Sequence, residues 1–135
     1  MKKLDKYEKL VKKIKGDLSL LKNYGFKRKT VKNSVTGFIY VHPKTKVVIK
    51  CCYISTPHKR TPKEAIITKV IKLTNGCDPI FIQPLARVSR RDQKMAMGLF
   101  ETKLSWRDYM TLEDTFDFHD GNVAMYGHKA VMIDW

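Results

Sequence analysis

Apolar residues recur at steps of three and four over the first two dozen positions: Leu4, Tyr7, Leu10, Val11, Ile14, Leu18, Leu21 and Tyr24. That spacing draws one stripe along a helix and predicts an α-helix over residues 3–24, with lysines on the opposite face. Gly16 is a candidate break into two helices, and Gly25, with Phe26 behind it, is placed as a C-terminal cap. The pattern then shifts to β-branched and aromatic runs. Val35–Val41 and Val47–Ile54, joined by a turn containing Pro43, predict a hairpin within residues 30–55. Thr61-Pro62-Lys63-Glu64 supplies an N-cap, a first-turn proline and a capping-box glutamate, and so predicts a helix. Its apolar face would be Ile66, Ile67, Val70 and Ile71, and Asn75-Gly76 would end it. Beyond it, Pro79–Val88 predicts a strand, Ser89–Gln93 a turn, Lys94–Phe100 a further strand and Leu104–Met110 a short helix. The remaining residues predict a hairpin turning at Gly127, whose apolar run Val131-Met132-Ile133 ends in Asp134.

Composition narrows the picture. At 135 residues, with 43% hydrophobic and 10% aromatic residues, the chain reads as one globular domain with a real core. No apolar stretch approaches the roughly 20 residues of a membrane span, and the charged start, Met-Lys-Lys-Leu-Asp-Lys-Tyr-Glu, does not read as a signal peptide. A cytoplasmic, non-membrane protein is expected. Cys51, Cys52 and Cys77 offer neither a disulfide framework nor metal-ligand spacing and read as buried free thiols. The net charge of +14 is uneven, with +9 in residues 1–33, where eleven lysines and Arg28 face Asp5, Glu8 and Asp17. Such an arm suits an acidic protein, nucleic acid or a solvated helix face. Without aromatics interleaved in a nucleic-acid motif, nucleic acid is the less favoured partner.

Chemistry concentrates at the other end. Asp117-Phe-His119-Asp-Gly121-Asn122 is followed by the hairpin and then by Ile133-Asp134-Trp135. A carboxylate, an amide and a second carboxylate on adjoining short strands are what phosphoryl transfer requires: one group orients the acceptor hydroxyl, and two hold the Mg²⁺ that neutralises the phosphates. This segment resembles the catalytic loop and metal strand of the protein-kinase-like superfamily, most closely its aminoglycoside- and choline-kinase branch. There the loop reads Asp-x-His-x-Gly-Asn and the metal strand ends Ile-Asp-Trp or Ile-Asp-Phe. The resemblance implies a minimal kinase-like α+β fold: an antiparallel sheet with one main helix, a catalytic-loop hairpin and a much reduced carboxy-terminal lobe. The expected layout is a basic helical extension (1–25), a sheet and helix (30–103) and the reduced lobe (104–135).

The same resemblance implies roles for single residues. Asp117 would be the base or orienter of the acceptor, Asn122 and Asp134 the Mg²⁺ ligands, and His119 and Gly121 would support the loop. His42, His58 and His128 read as surface residues. Val47-Val48-Ile49-Lys50 looks like the family strand whose lysine reaches the nucleotide phosphates, and Glu64 would be that lysine's partner on the following helix. Phe100-Glu101-Thr102-Lys103 looks like the hinge that binds adenine through backbone groups, which puts Glu101 and Lys103 at the nucleotide. ATP and Mg²⁺ are the expected cofactors. Three departures qualify the likeness. Residues 33–37 carry one glycine where protein kinases have three, Thr115 stands where the family usually has His, and about fourteen residues separate the hinge segment from Asp117. No substrate lobe follows Asp134, so a second surface, a homodimer mate or a target protein, is expected to cover the site. Such compression fits a mobile-element or bacteriophage gene. The two functional expectations are a phosphotransferase acting on a hydroxyl, of a protein above all, and a pseudokinase-like binding module that engages an acidic protein or nucleic acid.

Overall fold

The computed structural model describes residues 2–30, 38–51, 63–73, 79–115 and 122–133. The architecture is mixed α+β. The chain forms two compact units: Met1–Ile54 with Thr68–Leu85, and Ser55–Ile67 with Ala86–Trp135.

The first unit is an antiparallel five-stranded sheet with a helix on one face. Helix α1 spans Lys2–Lys13, and a 3-10 helix follows over Leu18–Tyr24. The predicted long helix is therefore divided, with Gly16 in the connection at φ 76°. That positive φ favours glycine, and a Cβ there would also displace the end of the Leu73 side chain. Gly25 caps the 3-10 helix at φ 90°, its N–H donating to the Leu21 carbonyl. The sheet comprises β1 (Lys27–Thr30), β2 (Phe38–His42), β3 (Val47–Cys51), β4 (Lys69–Ile71) and β5 (Ile80–Pro84), in the order β1-β2-β3-β5-β4. The expected hairpin is β2–β3, with Tyr40 opposite Ile49 and Val41 opposite Val48. Edge strand β1 was not foreseen, because Lys27-Arg28-Lys29-Thr30 is exposed throughout and carries no apolar alternation.

Period two sorts the sheet into two faces. Tyr40, Val47, Ile49, Ile71, Ile80 and Ile82 join the stripe of α1 (Leu4, Tyr7, Val11, Ile14) in one core with Leu21 and Phe26. Val41, Val48, Lys50, Phe81 and Gln83 take the opposite face and are also buried.

The second unit is built on a hairpin and two helices. Helix α2 spans Arg90–Lys103, α3 Trp106–Thr115, and strands β6 (Val123–Tyr126) and β7 (Lys129–Met132) pair antiparallel. Three predicted elements are corrected here. Lys94–Phe100 is helix, not strand, because its buried residues are Ala96 and Phe100, four apart, while Met95 is 46% exposed. Ser89 is that helix's N-cap rather than part of a turn. The helix expected after Thr61 is a three-residue 3-10 turn (Lys63–Ala65), followed by a bridge at Ile66 and by β4. Its β-branched residues suit extended pairing, and a short helix must offset a costly nucleus.

Candidate functional site

The hairpin that carries the motif is held from all sides. Val123, Met125, Ala130 and Met132 face α2 through Ala96 and Phe100 and contact Ala65. On the other face Ala124 and Val131 pack with Ala86, against which Ile67, Tyr126 and Ile133 also pack. The two residues between the strands are Gly127, at φ 62°, and His128, a tight turn that favours glycine. Both strand edges are occupied within this unit. Arg87 exchanges backbone hydrogen bonds with Met125 (2.8 and 3.1 Å), and Ile66 bridges Met132 in parallel. Gln93 on α2 donates to the Val123 carbonyl at 3.1 Å, and the Arg87 guanidinium donates to the Gly127 carbonyl at 2.8 Å. A ladder closed on both edges is short of unpaired groups and resists slippage.

This frame fixes the open end of the hairpin. Asn122 directly precedes β6, is half-buried, and accepts the Ile133 N–H at 2.9 Å through its carbonyl. The pairing thus extends one step past the last β6–β7 pair, Val123 with Met132, and brings the two ends of the motif side by side. Asp117, His119, Gly121, Asp134 and Trp135 lie outside the described residues. Among the described residues no group of three or more His, Cys, Asp or Glu gathers as metal ligands.

Lys50 occupies β3 opposite Phe81, with 7% of its surface exposed and its ammonium 5.7 Å from the Phe81 ring centre. On that face Gln83 is also buried and accepts the Thr68 hydroxyl at 2.5 Å. Lysines are rarely buried this far, because an ammonium removed from water needs compensation. Lys50 also lines a cavity of about 430 Å³ with Gly16, Asp17, Leu18, Ser19, Tyr40 and Cys51, all in the first unit. Of the histidines read as surface residues, His128 is exposed, whereas His42 is half-buried and stacks edge-on against Phe26 at 5.1 Å.

The remaining expected residues have a different setting from the one the sequence implied. Glu64 is exposed in the 3-10 turn, not on a helix. Glu101 and Lys103 are exposed in the last turn of α2, where an extended hinge was expected. The Phe100 carbonyl in that turn accepts the capping Leu104 N–H, and Glu101 accepts the Tyr109 hydroxyl at 3.3 Å.

Sequence reasoning missed the supports. Ser89 and Asp92 form a reciprocal cap: the Ser89 hydroxyl donates to the Asp92 carboxylate at 2.6 Å and accepts the Asp92 N–H at 3.1 Å. That hydrogen bond, together with Arg87 at 3.4 Å, holds the Asp92 carboxyl below its usual range. The Ser-x-x-Asp spacing was the signal that could have announced helix α2. No protein-family model, curated protein or solved structure matches the chain.

Proposed function

We propose that this chain is an ATP- and Mg²⁺-dependent phosphotransferase acting on a hydroxyl, of a protein above all. The observation that carries the reading is the Asn122–Ile133 pairing. It closes the hairpin at the point where the Asp-x-His-x-Gly-Asn loop ends and the Ile-Asp-Trp segment begins. In this reading Asp117 orients the acceptor hydroxyl and receives its proton, and Asn122 and Asp134 supply hard oxygen ligands. Those two side chains would hold Mg²⁺, and the chemistry supplied there would be neutralisation of phosphate charge. Lys50 presents an ammonium from a buried strand position, where a fixed charge is strengthened by low dielectric. Its surroundings fit a phosphate-facing lysine better than a solvated edge residue.

One observation favours a kinase-like binding module instead. Residues 100–103 form the last turn of α2, so their N–H groups donate within the helix rather than to an adenine edge.

Incubation with γ-labelled ATP separates the two readings, with and without Mg²⁺ and cell lysate. The phosphotransferase reading expects label transfer that requires Mg²⁺ and is lost in Asp134→Ala. It also expects Asp117→Asn to keep the melting temperature while lowering transfer by about 10²-fold or more. Absence of transfer, with no Mg²⁺-dependent rise in melting temperature at millimolar ATP, leaves the binding module.

A further inference from the structure

The charge of this protein belongs almost entirely to one unit. The segments Met1–Ile54 and Thr68–Leu85 contain 17 of the 27 Lys and Arg but four of the 13 carboxylates, so they hold +13 of the +14. Two of those carboxylates are neutralised on the spot. Lys69 of β4 reaches Asp5 at 2.7 Å and Glu8 at 2.6 Å, and Lys12 approaches Glu8 at 3.4 Å. A third, Asp17, accepts the Ser19 N–H and hydroxyl at the start of the 3-10 helix. On α1 the acids therefore share one flank with Lys12 and Lys69. Lys6, Lys9 and Lys13, spaced three and four apart, form an exposed row beside it, with Lys9 one turn from Asp5 and within reach of its charge.

Aromatic contacts gather further lysines around that row. Lys6 lies 5.7 Å from the ring of Tyr7, whose hydroxyl donates to Thr45 at 2.8 Å. That bond sets the β2–β3 turn, with exposed Lys44 and Lys46, against the helix. Lys13 lies 6.0 Å from the Tyr24 ring on the 3-10 helix. Tyr7 also packs edge-on against Phe26 at 5.4 Å, whereas Lys27 and Lys29 of β1 pair with Val41 and Ile39 and so take the sheet face away from α1. None of these ammonium groups has a carboxylate partner among the described residues.

We propose that this lysine surface of the first unit binds the phosphate backbone of nucleic acid without reading its sequence. Helix α1 and the β2–β3 turn both carry the charge, so it forms a surface rather than a single helix stripe. Lysine is depleted in protein–protein interfaces, whose centres are aromatic or apolar. Among the described residues the lysines surround no such centre, and Tyr24 has an ammonium beside it. Compact ammonium groups without intervening acids suit closely spaced phosphates and the counterion release that follows their neutralisation. The inference is independent of the phosphotransferase reading.

Fluorescence anisotropy with a short labelled duplex DNA of random sequence tests it across a salt series. Affinity should fall steeply with salt, the logarithmic slope being about −0.9 for each phosphate neutralised. The Lys6→Ala/Lys9→Ala/Lys13→Ala/Lys44→Ala variant should bind about tenfold or more weakly at low salt, with a shallower slope, irrespective of DNA sequence. Removing three charges from the second unit (Arg90→Ala/Arg91→Ala/Lys94→Ala) should have a much smaller effect. If the fourfold variant loses its circular dichroism spectrum, Lys6→Ala/Lys13→Ala, which leaves the β2–β3 turn intact, makes the same test at about half the change in slope. Unchanged DNA binding in the folded variant overturns the proposal. So does tighter binding, at equal salt, to polyglutamate or to phosphatidylserine vesicles than to DNA.

Discussion

Branched and aromatic side chains fill the core of the first unit. Ile49, Ile71, Ile80, Ile82, Val11, Val47, Leu21, Phe26, Tyr7 and Tyr40 all interlock there. The second unit relies more on smaller or more flexible groups: Ala65, Ala86, Ala96, Ala124 and Ala130 with Val123, Val131, Met125 and Met132, and Phe100 is its one fully buried ring among the described residues. Alanine lets helix α2 and the hairpin approach closely, and methionine fills what is left. Alanine cannot expand into a vacancy, whereas methionine can shift toward one. The second unit therefore leans on a few anchors: Phe100, the Ser89 cap and the Arg87 ladder. The first unit distributes its stability over many residues. The comparison matters because the hairpin bearing the candidate site belongs to the unit with fewer anchors.

The largest expected effect follows directly. Phe100→Ala should cost about 3–5 kcal/mol, because the ring is fully buried and the alanines beside it cannot move into its place. Ile49→Ala in the first unit should fall toward the lower part of the roughly 2–5 kcal/mol range, since it removes fewer buried atoms. Chemical denaturation of both variants measures the difference. Equal losses, or a larger one at Ile49, would break the comparison.

The same contrast explains what the sequence made legible. The α1 stripe, the β2–β3 hairpin and the β6–β7 hairpin all follow from large residues at a clear period, and they were expected at nearly the right places. Helix α2 was misread because its true contacts are small. Met95, Met97 and Leu99 alternate like a strand, while Ala96, fully buried, carries little weight in any hydrophobic pattern. Residues 66–71 failed for another reason. Ile67 packs in the second unit and Ile71 in the core of the first, so one apparent helical face serves two separate cores. Of the candidate site, Asn122 and its place beside Ile133 were legible from the hairpin pattern. The burial of Lys50 against Phe81 was not, because it depends on β5 pairing at a distance in sequence.

A smaller effect sharpens the anchor argument. Ser89→Ala removes the hydroxyl that both caps α2 and holds Asp92, and should cost about 1 kcal/mol. Thermal denaturation would show it, and Ser89→Thr, which keeps both the acceptor at the cap and the donor to Asp92, should recover much of the loss. A loss that Ser89→Thr does not repair would mean that the serine acts through some contact other than the cap.

The smallest effect belongs to the first unit's surface. Lys69, mainly through its hydrogen bonds, holds the Asp5 and Glu8 carboxyls below their usual range, and they in turn raise the Lys69 ammonium above its own. The carboxylates' contribution is present above their ordinary values, near pH 4, and is lost as pH falls through the lowered folded values. The lysine's contribution is present below its ordinary value, near pH 10.4, and is lost only as pH rises through the raised one. Stability from this cluster should therefore be flat across neutral pH and decline at both extremes. All three groups are exposed to solvent, so salt screens them strongly. Lys69→Met should accordingly lower the melting temperature slightly at low salt and neutral pH, and not at all at 1 M salt, where the screening length is only about 3 Å. The deficit should also vanish near pH 2, where the wild-type carboxylates are themselves protonated. A deficit that persists at high salt would show that Lys69 acts through the packing of its aliphatic stem against α1 rather than through its charge.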